Sequence, residues 1–170
     1  MSQSTNQHRE LAKDHVAVCA VLTISDTRDK ATDKGGRVIC EALEEAGHVV
    51  EGYEIVPDEP KRIKQQIRRW LDDGRFDVIC TTGGTGIASR DTTIEVVERM
   101  LDKQLDGFGE LFRMLSWEEV GPAAMLSRAV GGLAGETLLF AMPGSTNAVA
   151  LAMSKLIVPE LRHLIWERAR

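Results

Sequence analysis

Between Asp77 and Glu95 the chain changes character twice. Residues 77–81 form a short β-rich run, and residues 82–90 are rich in Gly, Thr and Ser. From Asp91 the apolar residues Ile94, Val97 and Leu101 fall at helical spacing. A strand that runs through a glycine-rich turn into a helix N-terminus is how α/β proteins hold anions. The glycines let the backbone come close, free N–H groups point at the ligand, and the helix dipole favours negative charge. Phosphate, from a nucleotide, is therefore expected on Gly83, Gly84, Thr85 and Gly86. The turn matches neither GxGxxG nor GxxxxGK[ST], so its spacing alone leaves a plain structural connection open. The adjacent Arg90-Asp91 pair adds weight, because phosphoryl chemistry uses Arg to hold oxygens and Asp to hold Mg²⁺. Asp91 has a second reading as a helix N-cap. Thr92 and Glu95 could also form a capping box that moves the helix start by one residue.

The rest of the chain supplies the frame. Residues 15–24 are nearly continuously apolar, as in a strand buried on both faces of a parallel sheet. They end at Ser25-Asp26-Thr27, and strand carboxyl ends are where open α/β sheets bind ligands. A helix over 38–46 closes at Gly47, and a second strand spans 48–56. Pro57-Asp58-Glu59-Pro60 reads either as an ordinary helix entry or, by its position at a strand's carboxyl end, as a partner of Asp91. Ile63, Ile67, Trp70 and Leu71 form a core-facing helix stripe, which makes Trp70 packing rather than a substrate platform. The order β-α-β-α-β-α implies a parallel sheet with helices on both faces.

After Leu101 the pattern changes. A tight turn over 106–110, a helix to Ser116, a charged bend over 117–121 and a short helix over 122–127 are expected. A strand beginning at Ala129 and another over 137–142 are joined by a glycine-rich turn over 131–135. They read as a hairpin that makes the sheet mixed at one edge. Pro143-Gly144-Ser145 then leads into a last helix, bent at Pro159, with Ser145 or Thr146 as its N-cap.

Composition narrows the function classes. The 170 residues suffice for one α/β domain, here 15–170 behind a flexible tail over 1–14. The net charge of −5, from 21 basic and 26 acidic residues, argues against nucleic-acid and anionic-membrane partners. No apolar run is long enough to span a membrane, and the polar N-terminus is not a secretory signal. Cys19, Cys40 and Cys80 form no CxxC or Cys/His cluster, and look like buried thiols of a reducing cytoplasm.

Thr82-Gly-Gly-Thr-Gly-x-x-x-Arg90-Asp91, Gly107-Phe-Gly-Glu110, Ser127-Arg128 and Pro143-Gly144-Ser145 together resemble the molybdenum-cofactor biosynthesis proteins of the MoaB/MogA type, closest to the MoaB branch. The resemblance runs from about Val16 into the final helix. It implies a three-layer α/β/α sandwich with a mostly parallel sheet, assembled into trimers or hexamers. It also implies Mg²⁺-dependent adenylylation of molybdopterin by ATP, with release of pyrophosphate, and the downstream molybdate-insertion protein as a further partner. Two aspartates matter in such enzymes, and they match Asp58 and Asp91. One departure is Asp33-Lys34-Gly35-Gly36, where the family often has Asp-x-Ser-Gly.

On this reading Asp58 and Asp91 are catalytic and hold Mg²⁺. Thr82, Gly83, Gly84, Thr85, Gly86 and Arg90 bind phosphate, with Arg90 alternatively paired to Asp91 or Glu95. Ser25, Asp26, Ser116, Ser127, Pro143, Gly144 and Ser145 contact pterin or nucleotide. The rival readings are a non-catalytic molybdopterin carrier and a nucleotide-pyrophosphate hydrolase on the same fold. Leu111, Phe112, Met114, Leu115 and Trp117 suit a subunit interface as well as a core.

Overall fold

The computed structural model describes Ala12 and residues 15–169. The tail expected over 1–14 therefore lies, except for Ala12, outside the described residues. The strands are β1 (Val18–Ile24), β2 (Val49–Val56), β3 (Val78–Thr82), β4 (Lys103–Gln104), β5 (Val130–Ala134) and β6 (Thr137–Met142). They form one 6-stranded sheet in the order β2-β1-β3-β6-β5-β4. The first four are mutually parallel; at the far edge β5 runs antiparallel to β6, and β4 antiparallel to β5. This is the mixed sheet expected.

The helices are α1 (Lys34–Glu45), α2 (Pro60–Asp73), α3 (Thr93–Glu98), α4 (Asp106–Val120), α5 (Thr146–Ala152) and α6 (Val158–Arg168). Alternation along the central strands divides them into two layers. Cys19, Val21, Val78, Cys80, Leu138 and Phe140 face α1, α4, α5 and α6, where Ile39, Leu43, Phe112, Val149 and Leu161 complete one core. Ala20, Leu22, Ile79 and Leu139 face α2 and α3, against Ile63, Ile67, Trp70, Ile94 and Val97. Strands covered on both faces have no polar side, which is why they read as unbroken apolar runs. Trp70 is core as expected: its ring lies 5.8 Å from that of Phe76. A Cβ on Gly52 would come within 3.2 Å of its indole.

Four local expectations are corrected. The turn over 106–110 and the bend over 117–121 are both helical and belong to α4. Gly109 serves a close approach there, since a Cβ would sit 2.7 Å from Ala129 O. The short helix expected over 122–127 does form, as a 3₁₀ helix over Gly121–Leu126. Gly131 and Gly132 lie inside β5 rather than in its turn: a Cβ would meet Phe140 Cδ1 at 2.4 Å in one case and Lys103 O at 2.2 Å in the other. The bend expected at Pro159 is taken up by a π turn just before it, Met153–Ile157. Proline lacks an N–H and crowds the carbonyl four residues back, and a widened turn relieves both.

Candidate functional site

The carboxyl ends of β1, β2, β3 and β6 meet at one rim. Ser25 N donates to Val56 O (2.9 Å), Gly83 N to Met142 O (3.2 Å), and Thr82 Oγ1 to Pro143 O (2.9 Å). Gly83 holds φ +98°, and a Cβ there would lie 2.3 Å from Ile24 O; Gly144 packs on its Cα. Residues from the first, second, third and sixth strands are thus brought together, as the topology predicts.

Gly83 cannot donate to a ligand, because its N–H is committed to Met142 O. The expectation for the turn narrows accordingly. Among the described residues, no acceptor meets the N–H groups of Gly84, Thr85, Gly86 or Ile87. Four successive free amides in a tight turn make an anion-binding concavity.

Three carboxylates border it. Asp26 Oδ1 accepts from Asp58 N at 3.1 Å, and its Oδ2 pairs with Arg90. Arg90 is therefore bound neither to Asp91 nor to Glu95. Asp91 Oδ2 accepts from Ala88 N at 2.9 Å, which fixes the turn. It does not cap the helix: α3 begins at Thr93, its N-cap is Thr92, and no side chain bonds the cap. The capping box does not form, and Glu95 pairs instead with Arg128. Asp58 Oδ1 is occluded and has no partner among the described residues. Burial first, and the Asp91 charge second, push the Asp58 carboxyl above the usual range, with Arg90 opposing.

Two residues here were not legible in the sequence. Thr93 is fully buried, and its hydroxyl has no partner among the described residues. A Cβ on Gly84 would lie 2.4 Å from Thr93 Oγ1 and 2.9 Å from both Asp58 oxygens, so the two side chains flank the same glycine. Arg28 Nη2 donates to Gly144 O (3.2 Å), and its Nη1 lies 3.6 Å from Asp33 Oδ1. Asp33 is buried, caps α1 at Gly36 N, and accepts from Thr23 Oγ1 (2.5 Å) and the Tyr53 hydroxyl (2.7 Å). That network ties the start of α1 to the β6–α5 loop.

Among the described residues no three His, Cys, Asp or Glu side chains form a metal cage. The donor set is nevertheless one that suits a hard cation. Mg²⁺ is usually held by one or two carboxylates together with substrate phosphates. An occluded, unpartnered carboxylate oxygen beside a second carboxylate is an arrangement such a cation relieves.

The remaining expected residues divide between two places. Ser116, Ser127, Pro143 and Ser145 line one cavity of about 680 Å³, walled also by Val120 and Leu126. Ser145 Oγ in addition accepts from Ala148 N (3.3 Å), the cap expected for α5. Ser25 lies at the carboxylate rim, where its Oγ accepts from Thr27 N and Arg28 N and orders its own loop. A cavity of similar volume at the opposite, amino-terminal end of the central strands, around Asp77 and Arg168, contains none of these residues.

Residues 20–163 match the family described as "Probable molybdopterin binding domain". The chain belongs to this molybdopterin-binding family of the MoaB/MogA type. It is 51% identical to molybdenum cofactor biosynthesis protein B of Bacillus cereus, over 98% of this chain and 99% of that protein. The counterpart in Staphylococcus carnosus is 54% identical over 95% and 96%. A crystal structure of a molybdenum cofactor biosynthesis protein B superposes with TM-score 0.89 at 52% identity, covering 92% of this chain and 98% of that one. The tungsten cofactor synthesizing protein MoaB from Pyrococcus furiosus gives 0.81 at 38% identity, covering 91% and 98%. The three-layer architecture is thus that of the MoaB/MogA family.

Proposed function

We propose that the protein works in molybdenum cofactor biosynthesis by adenylylating molybdopterin. The terminal phosphate oxygen of the pterin attacks the α-phosphorus of ATP. One P–O bond forms, the bond to the β-phosphate bridging oxygen breaks, and pyrophosphate leaves. The attacking oxygen is already ionised near neutral pH, so no general base is needed. Such transfer asks the protein for positioning and charge neutralisation. The free amides of Gly84, Thr85, Gly86 and Ile87 take phosphate oxygens. Asp58 and Asp91 hold Mg²⁺, which when bound neutralises the charge of the triphosphate. The cavity lined by Ser116, Ser127, Pro143 and Ser145 receives the pterin.

The observation that carries this reading is the occluded, unpartnered Asp58 Oδ1 next to the open amide turn. A protein that only binds a phosphorylated pterin gains nothing from acids facing that phosphate. The test is pyrophosphate release from ATP with molybdopterin and Mg²⁺, for the parent, Asp58→Asn and Asp91→Asn. Turnover lost in either folded variant supports the assignment. Tight pterin binding without pyrophosphate release by the parent would establish a carrier instead, and AMP release from ADP-ribose a hydrolase.

The proposal extends to assembly and location. Leu111, Met114, Trp117 and Val120 of α4 are exposed on one face, with Met125 and Leu126 beside them. A trimer or hexamer covers such a face. No helix among the described residues is long and apolar enough to cross a membrane, and the proposed place of work is the cytoplasm, where the adenylylated product passes to a molybdate-inserting enzyme.

A further inference from the structure

We infer that Arg128 is a positioning residue, holding the glycine-rich turn so that its free amides face the nucleotide; this rests on the transferase reading above. Arg128 follows Ser127, on the segment that walls the pterin cavity. Its Nη1 donates to Gly86 O at 2.8 Å, and its Nη2 pairs with Glu95. The hydrogen bond to Arg128 is the leading cause of a Glu95 carboxyl below its usual range. In a trans peptide the C=O and the next N–H point in opposite directions. Pinning Gly86 O therefore turns the Ile87 N–H away from Arg128, and Ile87 is one of the open donors. Glu95 stands on α3, whose first residue is Thr93, the neighbour of Gly84 and Asp58. One guanidinium thus joins the amide turn, the helix beneath it and the wall of the second cavity. A planar fork reaches two acceptors at once, which an ammonium does only poorly.

The experiment compares the parent with Arg128→Ala and Arg128→Lys by amide hydrogen exchange and by transfer kinetics. In Arg128→Ala the bonded amides that close the turn, those of Ala88, Asp91 and Thr93, should exchange about tenfold faster or more, with α1 amides unchanged as the internal reference. Transfer should fall about 10- to 100-fold in kcat/KM for ATP, with a smaller change for molybdopterin, and Arg128→Lys should recover part of it. A merely structural arginine would lower the melting temperature and leave the kinetic constants of the folded variant alone. Unchanged exchange at Ala88, Asp91 and Thr93 overturns the inference, and so does faster exchange with unchanged ATP constants. A parent that releases no pyrophosphate sinks the transferase reading by itself. Calorimetric binding of ATP with Mg²⁺ then replaces the kinetics, and equal affinity of parent and Arg128→Ala, or no binding by the parent, overturns the positioning role.

Discussion

Replacing Gly84 by alanine puts a methyl carbon 2.4 Å from Thr93 Oγ1 and 2.9 Å from each Asp58 oxygen, where ordinary contact begins at 3.4 Å. The backbone cannot easily give way, because Thr93 N donates to Gly84 O at 3.0 Å and Asp58 N is held by Asp26. Two costs add. Gly84 sits at φ +61°, and an L-residue in the left-handed region costs about 1–2 kcal/mol. Overpacking a site of this kind costs about 1–3 kcal/mol. The sum is about 2–5 kcal/mol, which for a chain of this size lowers the melting temperature by roughly 5–15 °C. Gly135→Ala separates the two costs: it has φ +59° and nothing within 4 Å of its added carbon, so it should show only the first, about 1–2 kcal/mol. Gly107→Ala, inside α4 and also in open space, should be neutral or stabilising by up to about 1 kcal/mol. Thermal melts of the three variants and the parent, with pyrophosphate release at a temperature where all are folded, complete the assay. If Gly84→Ala melts no lower than Gly135→Ala, the crowding argument is wrong. If it melts low yet transfers at the parent's rate, Gly84 has no part in the amide cradle.

The Asp58 carboxyl is held above the usual range, so its ionised form opposes folding. This contribution to stability is fully present below the unfolded pKa and lost as pH rises through the raised folded value. Asp58→Asn should therefore melt higher than the parent at pH 7, with the gap closing in acid; a variant that melts lower at pH 7 would contradict it. Mg²⁺ with ATP should raise the parent's melting temperature more than that of Asp58→Asn. Burial pushes the Cys19 thiol up to about 12 and the Cys40 thiol to about 11, with Cys80 well above its ordinary value. At pH 8 an alkylating reagent should label the native protein slowly and all three thiols after unfolding; fast labelling of the native chain would show an open thiol. Met114→Glu with Trp117→Glu should reduce the sedimenting mass, and an unchanged mass would remove the α4 face as the contact.

The layers were legible in the sequence because β1, β3 and β6 are apolar on both faces, and only a parallel sheet covered twice asks for that. The two-residue β4 carries no pattern at all, and charged Lys103 gave no sign of it. The contacts of Arg28 and Arg128 were hidden for another reason. Their carbonyl partners lie 116 and 42 residues away, and an exposed-looking arginine in a loop does not say which carbonyl it will meet.

Glycine shows most clearly where sequence reading stops. A glycine is needed either for a positive φ or for the missing side chain, and the sequence does not say which. Gly109, Gly131 and Gly132 looked like turns, yet each makes room for a neighbour inside a helix or strand. The same division runs through the glycine-rich turn itself. Gly83 needs both, at φ +98° and against Ile24 O, and gives no free amide. Gly84 clears Thr93 and Asp58, and Gly86, whose φ is not positive, clears Asp91 Oδ2, which a Cβ would meet at 2.5 Å. Two of the three glycines therefore let a carboxylate come up against the backbone that offers its amides. A cradle built only for an anion would keep acids away, since like charges at close range disfavour both. Acids drawn in by the same glycines that free the amides are what a site for an anion and a cation together requires, and that supports the proposed Mg²⁺–triphosphate pairing over a simple phosphate loop.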